Sequence, residues 1–267
     1  MKYIAIVLLT LISFQISAQE LFVMTEPASN MPTGSIGIRN TSMLTFRKEG
    51  GNNFHNMPEV MWGVDRNWMI HASAFMNNTE GNFRLQGGSL YAKYRFFSSD
   101  DVHSHFRLAA YGRLSTNNAP VYQEEIETMG MNSGYETGII ATKLINKTAI
   151  STAISYERAL NNNTNEFPEI QSNSAINYSL SIGQLLHPKK YTSFKQTNIN
   201  AMVEFLGQRL NENGKSFLDV VPSLQFIINS QARIDLAYRH QIYSDMNRMS
   251  SNSVLVKLEY TFFNVSN

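Results

Sequence analysis

The sequence contains no cysteine among its 267 residues. This absence excludes a disulfide-stapled scaffold, a thiolate metal site and a cysteine nucleophile. Charge is also scarce, because Asp, Glu, Lys and Arg make up 16% of the chain, against about 25% in ordinary soluble domains. The formal net charge is only +1. The chain therefore lacks the basic character of nucleic-acid-binding proteins, and we expect no nucleic-acid partner.

Long apolar runs are missing as well. The mean hydropathy is −0.24, and after the N-terminus no run reaches the roughly 18 apolar residues of a membrane-spanning helix. A bundle of membrane helices is therefore excluded. Low charge together with 11% aromatic residues favours a membrane β-barrel over a cytosolic enzyme.

Residues 1–18 have the features of a secretory signal peptide. Lys2 supplies the positive start, residues 4–12 form an apolar core, and Ile16-Ser17-Ala18 is a cleavage box with small residues near its end. We expect this signal to be removed, so that the mature chain begins at Gln19. No cysteine follows the cleavage site, so a lipoprotein anchor is not expected.

From about residue 35 onward, apolar and polar residues alternate. In the last such segment Val254, Val256 and Leu258 share one face, while Lys257 and Glu259 share the other. A period of two indicates β-strands, and lengths of about 9–13 residues suit tilted strands that cross a bilayer. We count about twelve such segments, near residues 35–45, 55–63, 68–76, 84–97, 105–115, 133–144, 148–158, 174–186, 196–207, 216–228, 232–243 and 252–263. The predicted fold is an all-β transmembrane barrel, antiparallel and up-and-down, of about 12 strands, with ten as the alternative.

The connections between these segments alternate in length. Tight turns at 64–67, 145–147 and 229–231 alternate with long polar loops at 116–132 and 159–173. An even number of strands places both chain ends in the periplasm, with short turns there and long loops outside. Aromatic side chains support this orientation because they favour the headgroup level, and the following lie near the predicted periplasmic ends: Trp62, Trp68, Tyr94, Phe96, Phe106, Tyr191, Phe194, Phe226, Tyr260 and Phe262.

Pro222 is the residue that fits this pattern least well. It falls in the middle of the tenth segment, where proline cannot donate a hydrogen bond to a neighbouring strand. We expect a β-bulge at this position.

Residues 19–33 precede the first strand and contain Pro27 and Pro32. Proline prevents this segment from being an interior strand. Its four consecutive apolar residues, 21–24, need cover, which favours a short plug in the periplasmic mouth over a simple leader. The predicted organisation is a signal peptide at 1–18, a plug or leader at 19–33 and the barrel at 34–267.

The inward face of the barrel is the main candidate site. Charges on the lipid face would cost about 2–4 kcal/mol each for Arg or Lys at mid-depth, so we expect them in the lumen. There they either form a polar pathway that selects a solute, or they pair across strands and fill a narrow barrel. The alternation assigns to the lumen Lys93, Arg95, Arg107, Arg113, Glu136, Glu157, Glu204, Asp219, Arg233, Asp235, Arg239, Lys257 and Glu259.

Three weaker candidates remain. His71 and Ser73 share one strand face and resemble the catalytic pair of the outer-membrane phospholipases, but a polar lumen pair is the plainer interpretation. A metal site at His103 and His105, with Asp100 and Asp101 nearby, is considered, but polar residues are common in a turn and we expect no metal and no cofactor. The long loops, with Glu124, Glu125 and Glu127 in one and Asn161 to Asn163 in the other, either bind an external ligand or are simply solvated.

Four stretches, 25–39, 57–76, 87–113 and 254–263, resemble outer-membrane β-barrel proteins of Bacteroidota. These are similar in turn to the transporter-like barrels of the meta-pathway phenol-degradation family, and more distantly to the long-chain fatty-acid transporters. The resemblance implies a barrel in the cell outer membrane that transports a solute. The fatty-acid transporters carry a larger N-terminal plug, whereas only residues 19–33 are available here.

The leading functional hypothesis is passive transport of a small solute through a charged lumen, without enzymatic activity. The alternatives are a lipid-modifying enzyme that uses His71 and Ser73, and a structural or adhesive barrel whose loops bind a partner. The expected partners are outer-membrane lipid, the barrel-assembly machinery through the C-terminal strand, and an unknown small solute.

Overall fold

The chain folds as a closed β-barrel of twelve antiparallel strands in sequence order. The computed structural model describes residues 22–47, 51–101, 104–188 and 195–265, so the predicted signal peptide lies outside the described residues. The strands are β1 (Ile36–Arg47), β2 (Asn53–Gly63), β3 (Trp68–Asn77), β4 (Arg84–Asp101), β5 (Ser104–Asn117), β6 (Gly134–Ile145), β7 (Thr148–Ala159), β8 (Ser174–His187), β9 (Thr197–Leu210), β10 (Ser216–Ile228), β11 (Ala232–Ser244) and β12 (Ser250–Phe262). The predicted fold is confirmed, with twelve strands and not ten.

The barrel closes where the first strand pairs with the last. β1 and β12 run antiparallel from Ile36 opposite Phe262 to Arg47 opposite Ser250. Closure leaves no unpaired sheet edge, which is the condition for a sheet to cross the hydrocarbon of a membrane.

The two ends of the barrel differ in the length of their connections. At one end, called the short-turn end, the connections are 64–67, 102–103, 146–147, 188–196 and 229–231. At the other end, called the long-loop end, they are 48–52, 78–83, 118–133, 160–173, 211–215 and 245–249.

The β10–β11 hairpin shows the local chemistry of a tight turn. Asn229 and Ser230 have φ angles of 53° and 57°, and Gln231 N donates to Ile228 O over 3.1 Å, as in a type I′ turn.

Pro222 sits within β10 without the β-bulge that the sequence suggests. It pairs with Val203 of β9, whereas the β10–β11 pairing lacks partners for Val221 and Pro222 and resumes at Ser223 in the same register. The register shift on this side lies at Leu218 and Asp219 instead. The missing proline N–H is thus accommodated by an interrupted ladder, because the flanking pairs keep the strands aligned.

The outer surface of the barrel is apolar. Leu90, Leu114, Ile139 and Ile154 are each more than half exposed, and an apolar belt of this kind on a closed barrel is the surface that lipid covers. Aromatic pairs mark the short-turn end of the belt, with ring centroids 4.8 Å apart in both Trp68–Tyr94 and Tyr260–Phe262. Tyr191 and Phe194, assigned to the same group, lie outside the described residues. Among the described residues, no helix is long and apolar enough to cross a membrane.

A charge placed on this belt should destabilise the barrel. Ile139 lies near the middle of β6 with 53% of its surface exposed. We expect Ile139→Arg to lower the free energy of unfolding by about 2–4 kcal/mol, because the guanidinium would meet hydrocarbon at mid-depth. Denaturant titration in lipid vesicles measures this effect, and Ile139→Leu is the control. An unchanged midpoint for the arginine variant would contradict a lipid-facing Ile139.

The interior holds the apolar cores and the buried polar groups. One core joins Phe22 and Val23, which precede the first strand, to Leu144, Met202 and Leu255 of the wall. A second core joins Ile126 of the β5–β6 connection to wall residues that include Leu210 and Phe217. Two irregular segments therefore occupy the inside of the barrel, and each has an apolar contact surface of its own.

Candidate functional site

All thirteen charged residues assigned to the lumen lie on the inner face of the barrel. Most of them alternate along their strands with exposed apolar neighbours, as Arg113 does with Leu114. Several form ion pairs: Arg233 lies 3.0 Å from Asp235 of the same strand and 3.0 Å from Glu259 of β12. Two of the thirteen lie at the rim of the short-turn end, where Arg95 donates to Arg66 O and Arg107 lies 3.1 Å from Asp100. Others, such as Lys93, Glu157 and Glu204, bind two segments that enter the lumen.

The first of these, residues 22–35, is called the inner segment. Its main anchor is Glu204 of β9, which is fully buried. The amides of Val23 and Met24 both donate to Glu204 Oε1, and the amide of Thr25 donates to Oε2, each over 2.9 Å. Hydrogen bonds to a buried carboxylate are stronger than neutral ones, so this side chain fixes the backbone of the inner segment.

Further anchors reach the inner segment from other strands. Ala28 N donates to Thr142 Oγ1 over 2.9 Å, and Lys93 Nζ donates to the carbonyls of Pro27 and Ser29 over 2.6 and 2.8 Å. Arg39 pairs with Glu26 of the segment over 2.8 Å. The inner segment is therefore held by several faces of the barrel at once.

A glycine lets the inner segment turn into the barrel. Gly63 N donates to Ser35 O, and Gly34 N donates to Gly63 O. A Cβ at Gly63 would lie 2.3 Å from Pro32 O, so only glycine allows the backbones to approach this closely.

The second segment, residues 118–133, is called the inner loop and enters from the long-loop end. Ile126 and the Gln208 side chain exchange two hydrogen bonds of 2.9 and 2.8 Å. Thr128 N donates to Glu157 over 2.7 Å. At the neck of the loop, Asn162 Nδ2 donates to the carbonyls of Ala119 and Met131. Asn162, which the sequence assigned to a loop that is either ligand-binding or solvated, therefore holds the base of the inner loop.

A buried ionic cluster holds the inner loop to the wall. Arg248 donates to Glu125 over 2.7 Å and to both oxygens of Asp219 over 2.7 and 2.8 Å, and Arg239 reaches the same two acids. Arg248 also lies 3.9 Å above the ring of Phe217. Burial opposes ionisation of Glu125, but Arg248 and Arg239 lower its pKa to about 2, so this anchor stays charged at physiological pH.

Removing Arg248 should release the inner loop. We expect Arg248→Met to cost about 3–5 kcal/mol of loop docking, because two buried carboxylates lose a partner that Arg239 alone cannot replace. Hydrogen exchange of the amides at 124–131 measures the release. Arg209→Met, a loss of an exposed guanidinium on β9, is the control. Equal protection in both variants would show that the cluster does not hold the loop.

Between the inner segment and the inner loop lies a central chamber of about 220 Å³. Met24 and Glu26 line it from one side, and Ile126 and Glu127 line it from the other. Every strand contributes to its wall, in chain order Arg39, Glu59, His71, Tyr91, Arg113, Glu136, Glu157, Asn177, Gln208, Phe217, Arg239 and Lys257. The chamber therefore lies at the centre of the barrel between the two segments, and its wall contains polar, charged and apolar side chains.

Glu127 differs from the other acids of the chamber. Among the hydrogen bonds and ion pairs of the described residues, none reaches its carboxylate, although its backbone N donates to Asn132. Burial, reinforced by Glu125, raises the pKa of Glu127 to about 7. Its side chain also borders two smaller cavities next to the chamber.

His71 and Ser73 lie on the inner face of β3 and do not form a catalytic pair. Ser73 Oγ donates to Glu59 over 2.8 Å, and His71 Nδ1 lies 3.5 Å from the same carboxylate oxygen. Both residues are thus connected through Glu59, on the side of the barrel away from lipid. The predicted location in the lumen agrees with the structure.

The other candidates from the sequence take different places. Asp100, Asp101 and His105 belong to β4 and β5 and not to a turn, and His103 lies outside the described residues. Among the described residues, no group of three His, Cys, Asp or Glu side chains could hold a metal ion. Two acids of the loop at 116–132, Glu125 and Glu127, line the chamber, whereas Glu124 lies 2.6 Å from the partly exposed Lys215 of the β9–β10 connection.

Several site residues were not identified from the sequence. Arg39 and Glu59 lie on inner faces of β1 and β2 and meet at 3.0 Å, and alternation alone would have found them. Glu26 and Arg248 lie in irregular segments, where no period exists to assign them to the lumen.

No family model matches the chain, and no curated protein sequence matches it significantly. Solved structures do resemble it. An outer membrane channel from Pseudomonas putida F1 has a TM-score of 0.57 at 8% identity, over 90% of this chain and all of that one. KdgM porin has a TM-score of 0.51 at 10% identity, over 85% of this chain and 99% of that one. These likenesses concern the fold.

Proposed function

We propose that this chain is an outer-membrane barrel that passes a small polar solute passively, through a lumen that the inner segment and the inner loop close in series. The observation that carries the proposal is the central chamber, because all twelve strands and both segments line it. A barrel with a purely structural role would need no such compartment. The likeness of fold to outer-membrane channels supports a location in the outer membrane and a role in passive transport.

The orientation of the barrel in the membrane follows from the different lengths of the connections at its two ends. We place the short-turn end and the inner segment in the periplasm and the long loops outside, as in bacterial barrels. The inner segment is then the periplasmic gate, and the inner loop is the extracellular gate. We also propose that the signal is cleaved after residue 18 and that the domain boundaries are those predicted from the sequence. The proposal further includes contact of β12 with the assembly machinery and a relation to the meta-pathway phenol-degradation family.

A disulfide lock tests the gate. Ala28 N and Thr142 Oγ1 are 2.9 Å apart, which places the two Cα atoms within about 7 Å, close enough for a disulfide. Because the chain has no cysteine, Ala28→Cys with Thr142→Cys forms the only possible bond within one molecule. We expect the oxidised protein to pass no current of potassium chloride in planar bilayers and the reduced protein to open in discrete steps.

The single-cysteine variants are the controls, and neither should respond to reductant. Current through the oxidised lock would show that the inner segment is not the gate. The proposed function itself would be overturned if no current passed through the wild type, the reduced lock or a variant that lacks both the inner segment and the inner loop.

A lipid-modifying activity is not proposed. Ser73 donates to Glu59 and not to an imidazole nitrogen, and both His71 and Ser73 face the lumen. An adhesive role has no specific observation in its favour, because the longest connection folds inward and presents little of itself outside.

A further inference from the structure

The polar groups that line the central chamber differ in whether the protein supplies them with hydrogen-bond or ion-pair partners. Arg39, Arg113 and Arg239 each pair with at least one carboxylate at 3.0 Å or less. The Lys257 ammonium donates to Val23 O. Each cation that lines the chamber is therefore engaged by the protein itself.

The acids of the chamber outnumber these four cations. Six carboxylates line it, namely Glu26, Glu59, Glu125, Glu127, Glu136 and Glu157. Four of them pair with arginine. Glu157 instead accepts from Thr128 N and from the amides of Asn177 and Gln208. Glu127 is left with an uncommitted carboxylate that borders the open volume.

Two further groups in the wall lack partners. The Nε2 atom of His71 and the hydroxyl of Tyr91 are buried without a hydrogen bond in the described part of the chain. Both residues are less than 5% exposed, and their rings lie 4.9 Å apart. In the tautomer that directs Nδ1–H towards Glu59, His71 keeps a lone pair on Nε2. Unsatisfied polar groups in a cavity wall call for a polar occupant, because burying them alone is costly.

These groups have one property in common: the Glu127 carboxylate and His71 Nε2 accept hydrogen bonds, and the Tyr91 hydroxyl oxygen does so as well. An ammonium group is their complement, because it carries three donors, no acceptor and a positive charge. We propose that the central chamber binds a small solute bearing an ammonium group, with Glu127 as its counter-ion. This inference rests on the proposed function, since it names the class of solute that the barrel admits.

The size of the chamber and its aromatic wall agree with this class. A volume of about 220 Å³ exceeds the roughly 150 Å³ cavity that is known to hold benzene in another protein, so a chain of four or five carbon atoms fits. Tyr91 and Tyr111, with ring centroids 5.4 Å apart, add ring surface that attracts cations.

The charged surroundings of Glu127 give the binding a pH dependence. The groups that line the chamber with Glu127 or act on its charge are Glu26, Arg39, Glu59, His71, Tyr91, Tyr111, Arg113, Glu125, Glu136, Glu157, Tyr178, Arg239 and Lys257 on the chamber wall, Asp219 and Arg248 behind it and His55 in an adjoining cavity. Burial and Glu125 raise the pKa of Glu127 to about 7, and an ammonium binds the ionised form. The affinity should therefore be constant well above this pH and fall about tenfold for each pH unit below it.

Calorimetric titration of the folded protein in detergent with n-butylammonium tests the inference. Butyrate and 1-butanol serve as probes of equal size with negative and no charge. We expect only butylammonium to bind, and Glu127→Gln to weaken it at least about tenfold. Glu127→Asp should keep most of the affinity, and Glu169→Gln, an exposed acid of another loop, should keep all of it.

A second readout separates a direct role of Glu127 from an altered fold. At pH 6, binding to the wild type should release nearly one proton, seen as a dependence of the heat on the ionisation enthalpy of the buffer, and Glu127→Gln should release none. Equal binding of butyrate or butanol, or wild-type affinity in Glu127→Gln, would overturn the ammonium assignment. The potassium chloride currents of the disulfide lock are independent of this result, so a failure of the solute class leaves the proposed gating intact.

Discussion

Removing both gates from one chain should convert a mostly closed barrel into a steadily conducting pore. The variant lacks residues 22–33 and carries a short Gly-Ser linker in place of residues 119–132. Two obstructions in series each limit the current, so the double variant should conduct far more than either single one. We expect its potassium chloride conductance to exceed that of the wild type at least about tenfold.

The physical reason is the width of the lumen. Barrels of eight strands are filled by their own side chains, while those of sixteen hold an aqueous channel. This twelve-stranded barrel holds two irregular backbone segments, and the space they occupy would fill with water and ions. The charges that anchor them, such as Glu204 and Lys93, would then be hydrated.

The control is a deletion of residues 80–82 in the β3–β4 connection, which is exposed and should leave the current unchanged. Retained heat-modifiable migration in gels would show that the double variant still forms a barrel. A folded double variant that stays silent would mean that side chains of the wall, and not the two segments, close the lumen.

Replacing Glu204 by glutamine should undock the inner segment. The carboxylate accepts three backbone N–H groups and the Thr25 hydroxyl, whereas an amide offers one acceptor oxygen and turns N–H donors towards the others. Hydrogen bonds to charged groups contribute about 1.5–3 kcal/mol each, so we expect a loss of about 3 kcal/mol in docking and a roughly 100-fold larger undocked population.

Hydrogen exchange at the amides of Val23, Met24 and Thr25 measures this loss directly. Ser181→Ala is the matched control, because it removes a neutral hydroxyl that lies 2.8 Å from Thr25 Oγ1 and donates a longer hydrogen bond of 3.4 Å to Glu204, and it should accelerate exchange less than about tenfold. Openings in planar bilayers should lengthen in Glu204→Gln and not in Ser181→Ala. Unchanged protection in Glu204→Gln would assign the docking to the apolar contacts of Phe22 and Val23 alone.

The strands and their inner faces could be predicted because a membrane barrel repeats one rule. Lipid outside and polar groups inside impose a period of two, so Lys257 and Glu259 reveal their orientation from sequence alone. The lengths of the connections indicated which of them are tight turns, such as 229–231. The same rule says nothing about segments without a period, such as residues 22–35 and 118–133, so it could not predict their positions in the lumen.

The inner loop shows this limit. Its anchor joins Glu125 to Arg248, which are separated by 123 residues, and neither lies on a strand. A polar stretch such as 118–133 is compatible with a solvated loop or a folded one, because its position depends on partners that only the closed barrel brings together. The bulge expected at Pro222 fails for a related reason: the neighbouring pairs, and not the proline, decide whether the register shifts.

The attachment of the inner segment also determines when it can become ordered. Its partners Arg39, Lys93, Thr142, Glu204 and Lys257 lie on β1, β4, β6, β9 and β12, so its binding surface does not exist until the first and last strands have met. Although it is the first part of the described chain, it must be the last to fold. Docking of the inner segment therefore follows closure of the barrel, and the inner segment does not occupy the lumen until then.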